Sequence, residues 1–280
     1  MEFLAALVAG LTVGSIYALM AVSINIVFAA RRVVNFALGD QAMLAGLVAA
    51  SLIASFSWPY FVGLLVVVVL AALIGIAIER LAMRPLSNDE NSISWILSIL
   101  AVALILGNVA QIFYGTDPRR MPALIAGEVT RIGSVPIFAE QLIIIGAAGL
   151  CMMAFHLLQT HTRHGKAMQA VAQDPAMASL LGIHVQRYIA GAFALSGILA
   201  AVAAVLIGPL TFVGAALGFT LGIKGFAAAA LGGLLLGIGE TFAALYISSA
   251  SKDSVALLAL AALLILRPAG LLGQARITKM

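Results

Sequence analysis

Apolar runs long enough to cross a bilayer follow one another along nearly the whole chain, and they restrict its fold more than any motif does. Windows can be read at about 3–29, 33–56, 60–83, 92–115, 136–158, 187–208, 222–249 and 253–272. Each is near the roughly 20 residues a helix needs to cross a hydrocarbon core about 30 Å thick. They are much longer than barrel strands and lack strict alternation. The expected fold class is therefore all-α: a polytopic transmembrane helical bundle of about eight spans plus broken or re-entrant segments, in one transmembrane domain over residues 1–280. With 9% charged residues and a mean hydropathy of +1.15, the chain could not cover a soluble surface. The first window reads as a retained span. Only Glu2 precedes it as a charge, it is too long for the apolar core of a signal peptide, and no small-residue cleavage site comes before Arg31. The single cysteine, Cys151, lies within an apolar run, so it cannot form a disulfide within the chain and reads as core packing.

Loop charge sets an expected orientation. With the segment around 163–187 on the cytoplasmic side, alternation also places Arg31, Arg32, Arg80, Arg84, Arg267, Arg276 and Lys279 inside. Arg119, Arg120, Arg131 and Lys252 then fall outside, giving ten basic residues inside against four outside, with Lys224 unassigned. The N-terminus is expected outside and the C-terminus in the cytoplasm. The net charge of +4 is scattered over short loops beside spans, so it records orientation and not nucleic-acid binding.

Two stretches interrupt the pattern at membrane depth. In VNFALGDQAML (34–44), Asn35, Gly39, Asp40 and Gln41 break an apolar helix. Polar groups there mark either a functional site or an interhelical hydrogen-bond cluster, or Asp40 is shallow. GPLTFVGAALGFTLG (208–222) carries Pro209 and three glycines after Gly208, and is expected to make a re-entrant or half-helix excursion. Glu240 is either buried and paired or near the end of a shorter span; Glu79, beside Arg80, reads as an interface residue. Glycines four apart (Gly10 and Gly14, Gly218 and Gly222, Gly233 and Gly237) point to close helix contacts, within or between subunits.

Several chemistries are excluded or weak. No GxxxxGK[ST] loop is present: the one Gly-Lys, at 165–166, is followed by Ala167 and lacks the upstream glycine, so the chain does not bind ATP by that route. There is no HExxH and no cysteine cluster. His161 and His164 alone are a poor metal signal beside Arg163 and Lys166, and no metal or other cofactor is expected on this chain. An enzyme lacks any clustered nucleophile, base or metal set. An ion-coupled secondary carrier remains the alternative, with Asp40 and Glu240 as its candidate intramembrane carboxylates.

RHGKAMQAVAQDPAMASLLGIHVQRY (163–188) is a different kind of sequence from its surroundings. Asp174 suits a helix N-cap and Pro175 the first helical position, where its missing N–H costs nothing. A short helix from Pro175 to about Leu181 would stop at Gly182. Lys166 to Gln173 also forms a helix, with Met168 and Val171 on one face. Two short capped helices meeting at an angle are more than a connector needs, and they read as a docking surface for a soluble partner.

GKAMQAVAQDPAMASLLGI resembles the cytoplasmic coupling segment of bacterial ABC importer permeases for branched-chain amino acids, the LivH-like subunits in particular. Further matches follow in order: GLTVGSIYALMAVSINIVF (10–28), RVVNFALGD (32–40), ERLAMRPL (79–86), GIKGFAAAALGG (222–233), LLLGIGE (234–240) and RPAGLLG (267–273). The resemblance implies a non-enzymatic translocation subunit in the inner membrane, surrounded by lipid. Its implied partners are a second homologous permease subunit, two cytoplasmic ATPase subunits that bind the ATP, and a periplasmic substrate-binding protein. It implies that Gly165, Ala172, Gln173, Asp174, Pro175, Leu181 and Gly182 belong to the ATPase-coupling element. Asn35, Gly39 and Asp40 fall in a broken helix near the path, Lys224 at a polar turn, and Glu240 is a further path candidate. Leu38 stands where the family has histidine. A Gly/Pro-containing turn of about eleven residues is missing between Gly233 and Leu234, so 222–249 is expected either to fuse two half-elements into one continuous helix or to be a deleted version.

Overall fold

The computed structural model describes residues 2–56, 58–86, 93–123, 129–132 and 135–246, with positions 254, 257, 258, 261 and 262. Apart from those five positions, the window at 253–272 lies outside the described residues, as do Lys252, Arg267, Arg276 and Lys279. The helices are α1 (Glu2–Arg31), α2 (Leu38–Ala50, continued by a π-helical turn Ser51–Ser55), α3 (Tyr60–Ala77, continued by π-helical Ile78–Met83 and a 3-10 turn Arg84–Leu86) and α4 (Ser94–Tyr114). A small antiparallel hairpin, β1 (Val129–Ile132) and β2 (Val135–Phe138), pairs Val129 with Phe138 and precedes α5 (Ala139–His161). Then come α6 (Arg163–Gln173), α7 (Pro175–Leu180), α8 (Val185–Ile207), α9 (Ala215–Leu231) and α10 (Gly233–Tyr246).

Six helices among the described residues are long and apolar enough to cross a membrane, and a seventh crossing is possible if the bent pair α9 and α10 counts as one. The polytopic helical bundle read from the sequence is the fold. Burial sorts the helices. The apolar windows of α2 and α8 are 67% and 72% buried within the protein, whereas those of α4 and α5 are each 11% buried, so α1, α2 and α8 form the centre and α3, α4 and α5 present leucines, isoleucines and phenylalanines to lipid. The centre is closed by α1, α2, α8 and α9 around Ile16, Met20, Met43, Leu199 and Leu221.

Gly208 to Gly214 make a loop, and Ala215 starts α9, a short helix that ends at Leu231 and forms with α10 a bent pair that is either a broken span or a re-entrant loop, the two forms expected for this stretch. Two other expectations about the C-terminal half are corrected. The window 222–249 is not a continuous helix: it breaks at Gly232, where α9 and α10 meet at 116°. Gly232 has φ +92, a backbone state that L side chains resist, so the turn needs glycine there. Lys224 is accordingly in mid-helix and not at a polar turn.

The glycine pairs are used within the chain. In the antiparallel contact of α1 with α10, a Cβ at Gly10 would lie 2.9 Å from Ile238 Cα and one at Gly14 3.0 Å from Leu234 Cα. Gly233 and Gly237 press back on Ala18 and Gly14. With no apolar driving force between helices in lipid, such backbone proximity is what gains dispersion contact.

Candidate functional site

Hydrogen bonds identify the two ends of the bundle. At one, Arg31 Nη1 donates to the Met83 carbonyl (2.9 Å), Ser98 Oγ to the Ala82 carbonyl (2.9 Å) and Arg32 Nη2 to the Ala172 carbonyl (3.3 Å). The ends of α1 and α3, the start of α4 and the α6–α7 element therefore share one side. At the other end, Arg119 donates to Ser51 Oγ (3.1 Å) and to the Tyr114 carbonyl (3.2 Å), while its backbone pairs with Val213 in both directions. That bridge clamps the segment after α4 to the loop between α8 and α9, with Met121 buried against Gly208.

The α6–α7 element takes the form its caps dictate. Thr162 Oγ1 accepts from Gly165 N (2.9 Å) and starts α6; Asp174 Oδ1 accepts from Met177 N (3.0 Å) and starts α7, with Pro175 at the first turn. Gly182, φ +79, ends the pair. Gly165 is buried, packed on the backbone of Leu158 and Gln159 at the end of α5, and Ala172 is half-buried. Gln173, Asp174, Pro175, Leu181 and Gly182 are exposed, and so are the apolar Met177, Leu180 (81%) and Leu181 (73%). Val171 and Ala178 face inward against Val27, Met83 and Ile189. The result is an amphipathic two-helix platform seated on the bundle, with apolar side chains pointing away from it. A cavity of about 390 Å³ is lined by residues of α1, α5 and α6, among them Asn25, Phe155, Gln159 and Met168.

The membrane-depth candidates fall into two groups joined by α9. Asn35, buried, turns its side chain on its own chain: Oδ1 accepts from Ala37 N (3.2 Å) and leads into α2. Gly39 meets the backbone of α9, where a Cβ would lie 2.8 Å from Gly222 Cα. Asp40, half-buried, fills the space opposite Gly218, at which any Cβ would stand 2.6 Å from Asp40 Oδ1. Gln41 is buried and donates from Nε2 to the Ala71 carbonyl (2.7 Å), tying α2 to α3.

One turn and a half further along α9, Lys224 Nζ lies 3.1 Å from Glu240 Oε2 on α10 and 3.1 Å from Tyr17 Oη on α1, and Tyr17 Oη donates to the same Glu240 oxygen at 2.9 Å. Glu240 is fully buried and Lys224 is 6% exposed. Of the alternatives open for Glu240, burial with a partner is the one realised. Tyr17 is the member that sequence reasoning missed: an aromatic inside an apolar run reads as packing, and only a demand for a third polar group beside the pair would have pointed to it. Glu79 is likewise fully buried, 3.5 Å from Arg84 Nε. Among the described residues no group of three or more His, Cys, Asp or Glu could hold a metal ion.

The chain as a whole is similar to known proteins. Residues 6–267 match the family model described as "Branched-chain amino acid transport system / permease component". The chain belongs to that permease family. It is 32% identical to the high-affinity branched-chain amino acid transport system permease protein LivH of Salmonella typhimurium, across 99% of this chain and 97% of that protein. To BraD of Pseudomonas aeruginosa it is 33% identical, covering 99% and 98% of the two chains. Among solved structures, PsaBC from Streptococcus pneumoniae in complex with Fab aligns with a TM-score of 0.51 at 17% identity, covering 95% of this chain and 91% of that one, which is a likeness of fold. This member of the branched-chain amino acid permease family is thus a multi-pass inner-membrane transport permease and not an enzyme. As a permease component it works within a larger transport system.

Proposed function

We propose that this chain is the LivH-type permease of an ABC importer and moves branched-chain or other small neutral amino acids into the cytoplasm. A second homologous permease completes the membrane part, two ATPase subunits dock on the cytoplasmic face, and a periplasmic binding protein delivers the solute. The observation that carries this reading is the capped α6–α7 platform, which turns Leu180 and Leu181 outward next to Asp174 and Gly182. An exposed apolar ridge on rigid, capped helices suits insertion into a groove of a soluble partner. Its backbone is tied to the end of α1 through Arg32 and Ala172, so displacement of the platform is felt by a central helix.

The platform end of the bundle is then cytoplasmic, the N-terminus is outside, and the Arg119 clamp closes the outer face in this state. The path candidates divide by role. Asp40, with Gly39 and the glycine at 218, lies nearest the path. Asn35 positions the start of α2, and Lys224 with Glu240 locks the two half-helices that border the path. ATP binding elsewhere would change the inward and outward populations only through differential contacts at the platform. The test is copurification: tagged full-length protein from native membranes in mild detergent is expected to bring down a nucleotide-binding subunit. If none is retained and uptake follows an ion gradient, the secondary-carrier alternative replaces this reading.

A further inference from the structure

A carboxylate without a partner lies deep in the bundle. Among the described residues Asp40 forms no ion pair and its side chain receives no hydrogen bond, although it is only half-buried. The Arg119 clamp fixes its depth, because it holds Ser51 of the α2 continuation beside Tyr114 at the end of α4. Asp40 comes three turns before Ser51, about 16 Å along the helix. Gly107, which faces Asp40, comes two turns before Tyr114, about 10 Å along α4. Both measures put the carboxylate well inside a hydrocarbon core about 30 Å thick. An accessible, unpaired charge is costly there, so the space beside it belongs to water or to polar protein groups and not to lipid.

Two helices border that space with glycine. A Cβ on Gly107 of α4 would stand 3.8 Å from Asp40 Oδ1, and one on Gly218 of α9 only 2.6 Å from it. Gln111 follows Gly107 by one turn and so shares its face of α4; Asn108 is three residues from Gln111, on the adjoining row. Both amides are exposed. Asn108 Nδ2 donates to the Leu104 carbonyl (2.7 Å), which leaves Oδ1 and the second N–H available, and the Gln111 amide makes no hydrogen bond among the described residues. The other large exposed side chains at this level of α4 are Leu104, Ile105, Ile112 and Phe113. Those four suit lipid; two amides a turn from an unpaired carboxylate do not.

An α-amino acid in water carries an ammonium and a carboxylate on one carbon. A carboxylate with amide donors nearby complements both charges, and an aliphatic side chain can lie on exposed Leu104 of α4 or on Phe219, which follows Gly218 on α9. We propose that Asp40, Asn108 and Gln111 form a transient binding station on the solute path, where Asp40 accepts from the α-ammonium and the two amides donate to the α-carboxylate. This face of α4 is then a wall of the path and not a lipid contact. The station rests on the amino-acid transport reading above, and adds to it the helix and the part of the solute that is recognised: the charged backbone common to all amino acids.

Because Cys151 is the one cysteine in the chain, Cys151→Ala gives a clean background for testing this. Asn108→Cys, Gln111→Cys and, as a lipid-facing control in mid-helix, Leu73→Cys are introduced singly into the full chain, reconstituted with its copurifying partners in proteoliposomes. A charged thiosulfonate that does not cross membranes should modify the first two at least about tenfold faster than the third, since thiolate formation needs water. Leucine should slow both reactions, and 4-methylpentanoate, which lacks the ammonium, should not. Asp40→Asn should raise the leucine concentration that gives half-protection about tenfold, the loss expected for one hydrogen bond to a charged group. The two α4 positions report separately, so one misfolded variant leaves the test standing. Reaction no faster than at Leu73 overturns the proposal, as does labelling that leucine does not slow or protection that Asp40→Asn leaves unchanged. ATPase subunits retained in the same preparation show that the transporter reading survives such a failure; their absence, with labelling and protection intact, sinks that reading and leaves the station.

Discussion

Replacing Lys224 with methionine isolates the buried pair. Methionine is also unbranched and flexible, so it occupies most of the same space and the loss is mainly electrostatic. The change deletes an ammonium 3.1 Å from Glu240 Oε2 and leaves a fully buried carboxylate with the Tyr17 hydroxyl at 2.9 Å, while Glu240 Oε1 already has no hydrogen-bond partner. Removing one side of a buried pair costs about 3–5 kcal/mol. Polar contacts between membrane helices measure less, about 0.6 kcal/mol on average and up to about 1.7. The lower figure describes neutral hydrogen bonds with substitutes available in the unfolded state. A carboxylate stranded between α1, α9 and α10 has none, so a loss of about 3 kcal/mol is expected.

The double variant Lys224→Met/Glu240→Met removes both charges together. It should stand within about 1 kcal/mol of the parent, giving a coupling of about 2 kcal/mol or more between the sites. Thermal unfolding of the full chain in detergent measures the three variants, and uptake in proteoliposomes with the partner subunits shows whether transport recovers with stability. If the double variant unfolds as early as the sum of the singles predicts, the pair is not the lock described above. If stability returns and uptake does not, Lys224 or Glu240 acts on the solute path itself.

Three further outcomes follow from the geometry. Asp174→Ala with Gly182→Ala removes a cap and puts a side chain at φ +79, each worth about 1 kcal/mol locally; ATPase association and uptake should fall while membrane insertion, followed by protease protection, is unchanged. Gly14→Leu forces α10 away from α1, where even a Cβ would lie 3.0 Å from Leu234 Cα, and the folded yield in size-exclusion chromatography should collapse, whereas Gly146→Leu, with open space around it, should be tolerated. Arg119→Ala releases Ser51, Tyr114 and the Tyr114 ring 5.3 Å from its guanidinium, so a cysteine placed at Val213 should become more reactive toward aqueous thiol reagents.

What the sequence disclosed depended on whether the cause was local. Span length and apolarity are properties of one segment, so α1, α3, α4, α5 and α8 were legible, and so were α6 and α7, because Asp174, Pro175 and Gly182 cap their own neighbours. Pair partners were not. The spacing of Gly10 and Gly14 announced a close contact, but nothing in the spacing named Gly233 and Gly237 as its other side. Asp40 and Gly218 lie far apart in sequence and make sense only together. Hydropathy is also blind to φ, so an apolar window ran straight across Gly232.

That glycine bears on how the C-terminal half keeps its architecture in a chain of 280 residues. The alignment with the LivH relative runs over 302 positions against a chain of 280, so the relative carries residues this chain lacks. Here one residue does the work of a turn: Gly232 N donates to the Ala228 carbonyl, ending α9, and the Gly232 carbonyl accepts from Leu236 N, starting α10 (2.8 and 3.1 Å). Gly233 and Gly237 then dock on α1, and Glu240 reaches back to Lys224 across the bend. The Lys224–Glu240 contact requires the 116° turn, because a continuous helix would carry Glu240 away from Lys224 into lipid. Gly232→Ala forces a Cβ into a left-handed backbone state and should cost about 1–3 kcal/mol, lowering the unfolding temperature without exposing a new cavity. If alanine there leaves both stability and uptake unchanged, the bend does not rest on this glycine and a straight helix over 222–246 becomes the better description of this half of the permease.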